Sequence, residues 1–279
     1  MALPFIPSDA GLLALQAGVV AAPRAVPRLE RTARLHGRGW ALVPIGSIVV
    51  VVFAIRYLSD TATALTYLAL IAVPPLAAVA LAWAVRGPRP GDSDRVVGAV
   101  CVTAALFAVA WGWHRALTGE AAAALLSALS CVTLGVLLGS VTPASWLKFG
   151  IVAMAAADSW LVIPDLLQAP NATLIAAHPP AGLPRLQGEI FGTVTMGYGD
   201  LFVAALLGAV LARDRHRQLT AAVLTFAVAA VFDLLFLVVA ELPATVPVAI
   251  VLIVLELQSR LSAARRPSLL AGAIPRQAR

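Results

Sequence analysis

Charge is what this 279-residue chain has least of: Asp, Glu, Lys and Arg together make up 12% of it, against 61% apolar residues. A soluble domain carries roughly a quarter charged residues, so that class is excluded. A mean hydropathy of +0.92 points the same way. Apolar runs of about 20 residues recur along the chain and match the hydrocarbon thickness of a bilayer, which makes it a polytopic membrane protein. Cysteine is almost missing. Cys101 and Cys131 both lie inside apolar runs without metal-ligand spacing, so they read as packing residues and no cysteine metal site is expected. Lys and Arg are absent from residues 1–22, which argues against a secretory signal with its basic leading segment. Neither an internal repeat nor a soluble domain breaks the succession of apolar runs.

The charge that is present lies in short clusters between the runs. The formal net charge of +6 therefore records membrane orientation and is not a nucleic-acid footprint. Eight spans are expected, at about 41–58, 61–85, 95–113, 121–141, 146–168, 189–212, 218–240 and 243–259. The stretch Leu12–Ala22 reads either as a weak ninth span with its N-terminus outside or as an interfacial segment. With residues 24–38 in the cytoplasm, every Lys and Arg falls inside except Arg56, Arg115 and Arg185. The same assignment makes 213–217 and 260–279 cytoplasmic and 169–188 external.

The expected fold is thus all-α, a polytopic transmembrane helical bundle. Residues 1–40 form an N-terminal segment with the weak span and a basic cytoplasmic stretch, 41–141 the scaffold spans, 142–259 the chemistry-bearing membrane half, and 260–279 a basic cytoplasmic tail. The scaffold spans hold mostly Ala, Val, Leu and small residues suited to close helix packing. Pro74-Pro75 is expected to kink or break the second. His114 and Arg115 read as a water-facing pair at a span end.

The chemistry gathers on Met196-Gly197-Tyr198-Gly199-Asp200, which runs on into the apolar stretch Leu201–Leu207. A carboxylate in such a run is expensive in a bilayer and is functional by default. The glycines remove side-chain bulk beside it, so another helix or an extended chain can come close. This G-x-G-D pattern resembles the catalytic motif of the GxGD intramembrane aspartyl proteases, the superfamily of presenilin, signal peptide peptidase and, more distantly, the type IV prepilin peptidases. The run Thr195–Leu201 also looks like a potassium-channel filter, in which backbone carbonyls replace the water around the ion. A filter needs a pore helix before it and a full inner helix after it. Here His178–Gly188 contains three prolines and two glycines, and only twelve residues separate Asp200 from Arg213. No inner helix fits.

The span 146–168 offers two acids to partner Asp200, namely Asp158 and Asp165. At 1.5 Å of helix rise per residue, Asp158 lies about 15 Å beyond Lys148, Asp200 about 20 Å from Arg213 on the same membrane face, and Asp165 about 25 Å from Lys148. Matching depth selects Asp158. Two adjacent carboxyls cannot both ionise cheaply and share one proton. One then takes a proton from the attacking water while the other donates to the scissile carbonyl oxygen. The plainer role for Asp158 alone is a cap or a hydrogen bond to a neighbouring helix.

Glu241-Leu242-Pro243-Ala244-Thr245-Val246-Pro247 opens the last span and resembles the Pro-Ala-Leu motif of presenilins and signal peptide peptidases, with Thr245 in place of Leu. Proline there frees backbone groups from the helix ladder, where an extended peptide can use them; a proline that simply starts a helix is the plainer reading. The resemblance covers about 146–259. It implies catalysis by Asp158 and Asp200, and substrate binding by Gly197, Tyr198, Gly199, Pro243, Ala244 and Thr245. It also implies membrane-embedded helical proteins or peptides as substrates, within the lipid bilayer of the cell (plasma) membrane, and no metal, organic cofactor or nucleic acid. Ala157 stands where the family usually has Tyr, and Asp233 adds a carboxylate within a span.

Two further readings compete. Met196–Gly208 and Ile163-Pro164-Asp165 resemble runs of the prepilin peptidases, but Phe202 replaces the lysine of that family and its cytoplasmic Cys-rich loop is absent. A transporter would instead use Asp158, Asp200 and Asp233 to relay protons or cations, with inverted repeats or a continuous polar path as its sign. An inactive, helix-binding relative is a third possibility. Asn171-Ala172-Thr173 is a glycosylation sequon on an external loop, with meaning only in a secretory pathway.

Overall fold

The computed structural model describes residues 7–24, 61–85, 93–162, 179–237 and 242–265, together with 46, 50, 173, 176, 177 and 239. Nearly all of the expected span 41–58 lies outside these residues, as do Asp165, Asn171, Glu241 and the stretches 25–38 and 266–279. Eight α-helices occur among the described residues: α1 Pro7–Ala21, α2 Thr61–Val85, α3 Ser93–Gly112, α4 Leu117–Val141, α5 Ala144–Val162, α6 Tyr198–Leu211, α7 Arg215–Phe232 and α8 Thr245–Arg265. Five of them are long and apolar enough to cross a membrane, namely α2, α3, α4, α8, and α7 as prolonged by a 3-10 turn to Leu237. The α5 helix carries Lys148 and Asp158, and α1 and α6 are short. These three are not among the five.

The main departure from an all-α bundle precedes Asp200. Residues expected to begin the span 189–212 form an antiparallel hairpin, β1 Gly188–Phe191 and β2 Val194–Gly197, and the helix starts only at Tyr198. Its register pairs Gly188 with Gly197 and Phe191 with Val194, leaving Gly192-Thr193 as a two-residue turn. Gly192 takes a φ of 64°, the conformation such a turn requires and glycine permits. The β-branched Ile190, Val194 and Thr195 suit strands better than helix. Apolar content alone hid this change of period.

Fourteen residues of α6 rise only about 21 Å, yet this is the helix around which the others gather. It touches α1, α4, α5, α7 and α8, and Leu201, Val203–Ala209 and Leu211 on it are buried. Small residues set the closest approaches. A Cβ added at Gly135 of α4 would lie 2.8 Å from the Ala205 backbone, and one at Gly208 would lie 2.5 Å from the Val20 carbonyl of α1. The scaffold helices α2 and α3 pack on α4 and on each other and do not surround α6. The α2 helix runs through Pro74 and Pro75 without ending, and just beyond them Thr133 Oγ1 donates to the Leu76 carbonyl at 2.7 Å.

The N-terminal stretch is a packed helix. Gln218 Nε2 donates to the Val20 and Pro23 carbonyls at 2.9 and 2.7 Å, and Arg215 to that of Ala21, satisfying acceptors that a helix C-terminus leaves open. At the end of the bundle expected to be cytoplasmic, Lys148 pairs with Glu256 at 2.7 Å and Arg217 Nη2 donates to the Leu255 carbonyl. At the opposite end, Trp111 Nε1 donates to the Ala181 carbonyl at 3.1 Å and the Gly192 N–H to Glu120 Oε2 at 2.7 Å. Segments assigned to one side by their charge thus meet one another.

Candidate active site

Asp200 is the third residue of α6. Its Oδ2 accepts the Gly197 N–H at 3.0 Å, holding the acid over the first turn, where the helix dipole favours negative charge. The hairpin ends and the helix begins at this acid.

Asp158 projects from α5, which packs against both α6 and α8. It stands close enough to Asp200 for the two charges to interact. Thr245, the first residue of α8, donates its hydroxyl to Asp158 Oδ2 at 2.6 Å. The residue that departs from the Pro-Ala-Leu pattern is therefore the one that contacts the acid. Pro243 precedes the helix and its carbonyl accepts the Val246 N–H at 3.1 Å, as at an ordinary helix start. The Ala244 carbonyl, expected to be free, accepts Gln16 Nε2 at 3.0 Å. Gln16 is 1% exposed and ties α1 to the segment that holds Thr245.

The glycines differ from the tyrosine between them. Gly197 and Gly199 are exposed, and a Cβ placed on Gly199 would meet nothing within 4 Å. Tyr198 turns toward α4, its hydroxyl 2.7 Å from Ser130 Oγ. Because Ser130 gives its own proton to the Ser127 carbonyl, the phenol is the donor. One side of the motif is anchored in the bundle and the other lies open.

Two acids escaped the sequence reading of the site. Glu189 of β1 is 2% exposed, lies within electrostatic reach of Asp200, and has both carboxyl oxygens buried, the neighbouring Ser127 hydroxyl being turned to the Leu186 carbonyl at 3.3 Å. A carboxyl so placed must be satisfied by a proton, a water or a bound polar group. Its signal was an acid between Gly188 and Ile190-Phe191, overlooked because it sat at the expected edge of a span. Asp9 of α1 is the other. It is buried against Asp233 at the end of α7, the two side chains within hydrogen-bond reach. Asp233 therefore belongs to a second acid pair and not to the Asp158–Asp200 group. Among the described residues no cluster of three or more His, Cys, Asp or Glu side chains is placed to hold a metal ion.

No protein-family model, no curated protein and no solved structure matches this chain.

Proposed function

We propose that this membrane protein hydrolyses peptide bonds through the paired carboxyls of Asp158 and Asp200. The particular reading is an intramembrane aspartyl protease similar to the presenilin and signal peptide peptidase group, with eight spans, α1 as a ninth short element, and α6 entered from outside. The observation that carries it is the Thr245 hydroxyl on Asp158 Oδ2 at 2.6 Å, beside an Asp158 within electrostatic reach of Asp200. Asp200 and Thr245 belong to segments singled out by motif and Asp158 was selected by depth, and contacts through Asp158 link the three.

The chemistry follows from the pair. One aspartate, ionised, takes a proton from a water whose oxygen attacks the scissile carbonyl; the other, protonated, gives its proton to the carbonyl oxygen. Collapse of the tetrahedral diol breaks the C–N bond as a proton passes to the leaving nitrogen. Water must reach this depth, and the hairpin supports that. Non-helical backbone is tolerated at membrane depth only where protein covers it or it lines a wet cavity, and Thr195, Gly197 and Gly199 are exposed here. An unwound substrate can lie along this open backbone and hydrogen-bond to it.

The test is purified protein offered a broad set of membrane-span peptides, with and without a transition-state-mimicking aspartyl-protease inhibitor. Cleavage that the inhibitor blocks and that D200N abolishes is the expected result. Intact peptides throughout would overturn the reading. The Asp9–Asp233 pair favours a second one, proton- or cation-coupled transport, since buried acids on packed helices can form an ion path. It predicts ion movement that depends on Asp233 as much as on Asp200.

A further inference from the structure

At the end of the bundle opposite Lys148 and Glu256, the α3–α4 turn and the loop leading into β1 enclose a cavity of 450 Å³. His114, Arg115 and Arg185 line it, with Glu120 and the backbone of Gly182 and Gly188. Among the described residues its arginines lack acidic partners, and Arg185 Nε is buried without a hydrogen-bond partner. Burial also pushes the Arg185 guanidinium below its ordinary value, as befits a cation shielded from water and not yet paired with an anion. The Glu120 carboxylate is already engaged by the Gly192 N–H. Two guanidinium charges against one carboxylate leave one net positive charge, which matches a phosphodiester.

The depth of the cavity indicates where such an anion comes from. Trp111 at the end of α3 and Trp113 in the turn that supplies Arg115 are 48% and 59% exposed. Exposed tryptophans on a membrane protein gather at the headgroup level of the bilayer. Arginine is the side chain whose planar fork best matches phosphate oxygens. We propose that Arg115 and Arg185 bind the phosphate of a phospholipid headgroup in this cavity, fixing the outer end of the β1–β2 hairpin to the bilayer surface. The inference rests on the membrane placement of the chain and is independent of the chemistry at Asp158 and Asp200.

The experiment is native mass spectrometry of the full chain in detergent, titrated with phosphatidylglycerol, with diacylglycerol as the phosphate-free control and inorganic phosphate as competitor. Phosphatidylglycerol should stay bound where diacylglycerol does not. R115Q/R185Q should lower its occupancy at least about tenfold, and R115K/R185K should recover part of it. Arg115 sits on an exposed turn, so R115Q alone should keep the wild-type melting temperature and still weaken the lipid several-fold. Equal occupancy in wild type and both glutamine variants would overturn the site. Displacement of the lipid by equimolar inorganic phosphate would overturn the lipid as its source, and so would an acidic peptide that binds through Arg115 and Arg185 where phosphatidylglycerol does not.

Discussion

The molecule holds two acid pairs, one half-buried and one buried, and beyond their carboxyls they share little. Asp158 and Asp200 sit beside open backbone, with Gly197 and Gly199 exposed and the Thr245 hydroxyl aimed at one of the oxygens. Asp9 and Asp233, 8% and 7% exposed, join α1 to the end of α7 and leave Asp233 Oδ2 without a partner. The first pair adjoins exposed backbone and has a hydroxyl donor on one of its oxygens. The second is enclosed between helices. The more deeply buried acids are thus not the pair proposed for hydrolysis; exposed backbone and an orienting hydrogen bond separate the two.

The comparison breaks most visibly at Asp200. Asp200→Asn keeps the shape and removes the titrating acid, so cleavage should fall by about 10³-fold or more, and Asp158→Asn should match it. The assay is turnover of a membrane-span peptide by purified variants of unchanged melting temperature. Thr245→Val comes next. A hydrogen bond to a charged group contributes roughly 1.5–3 kcal/mol, which translates into a loss of about 10- to 100-fold in kcat/KM, with Thr245→Ser retaining most of the activity.

Gly199→Ala sharpens the argument about access. The added methyl meets no neighbour and helix propensity favours Ala by about 1 kcal/mol, so the melting temperature should hold or rise. Substrate lying along that face would be obstructed, so KM should rise roughly tenfold with little change in kcat. A variant both stable and fully active would mean that the face carries no substrate. The smallest effect belongs to the second pair. Asp233→Asn keeps a polar group of the same size and should leave cleavage within about twofold, with a stability change of about 1 kcal/mol.

Motif and depth made part of this arrangement legible before any coordinates. Matching rise per residue picked Asp158, and the structure places that acid near Asp200 and beside Thr245. The depth assigned to Asp200 was counted back from Arg213 through residues that are helical in the structure; what the hairpin replaces is the helix expected before the acid, at residues 189–197. Strand and helix read alike there because a short apolar run carries no clear period. Glu189 and Gln16 were not legible for a different reason. Gln16 acts on the Ala244 carbonyl, remote in the chain, and Glu189 comes near Asp200 only because the hairpin folds β1 back along β2; single-sequence patterns do not report such contacts.

The most direct test of the central claim reads peptide cleavage and proton flux in the same proteoliposomes for wild type, D200N and D233N. Wild type and D233N should cut a co-reconstituted membrane-span peptide at comparable rates, D200N should leave it intact, and proton flux should not differ among the three. Intact peptide in all three vesicles, with proton flux lost in D200N and D233N alike, would contradict the account and make the two acid pairs parts of one ion path.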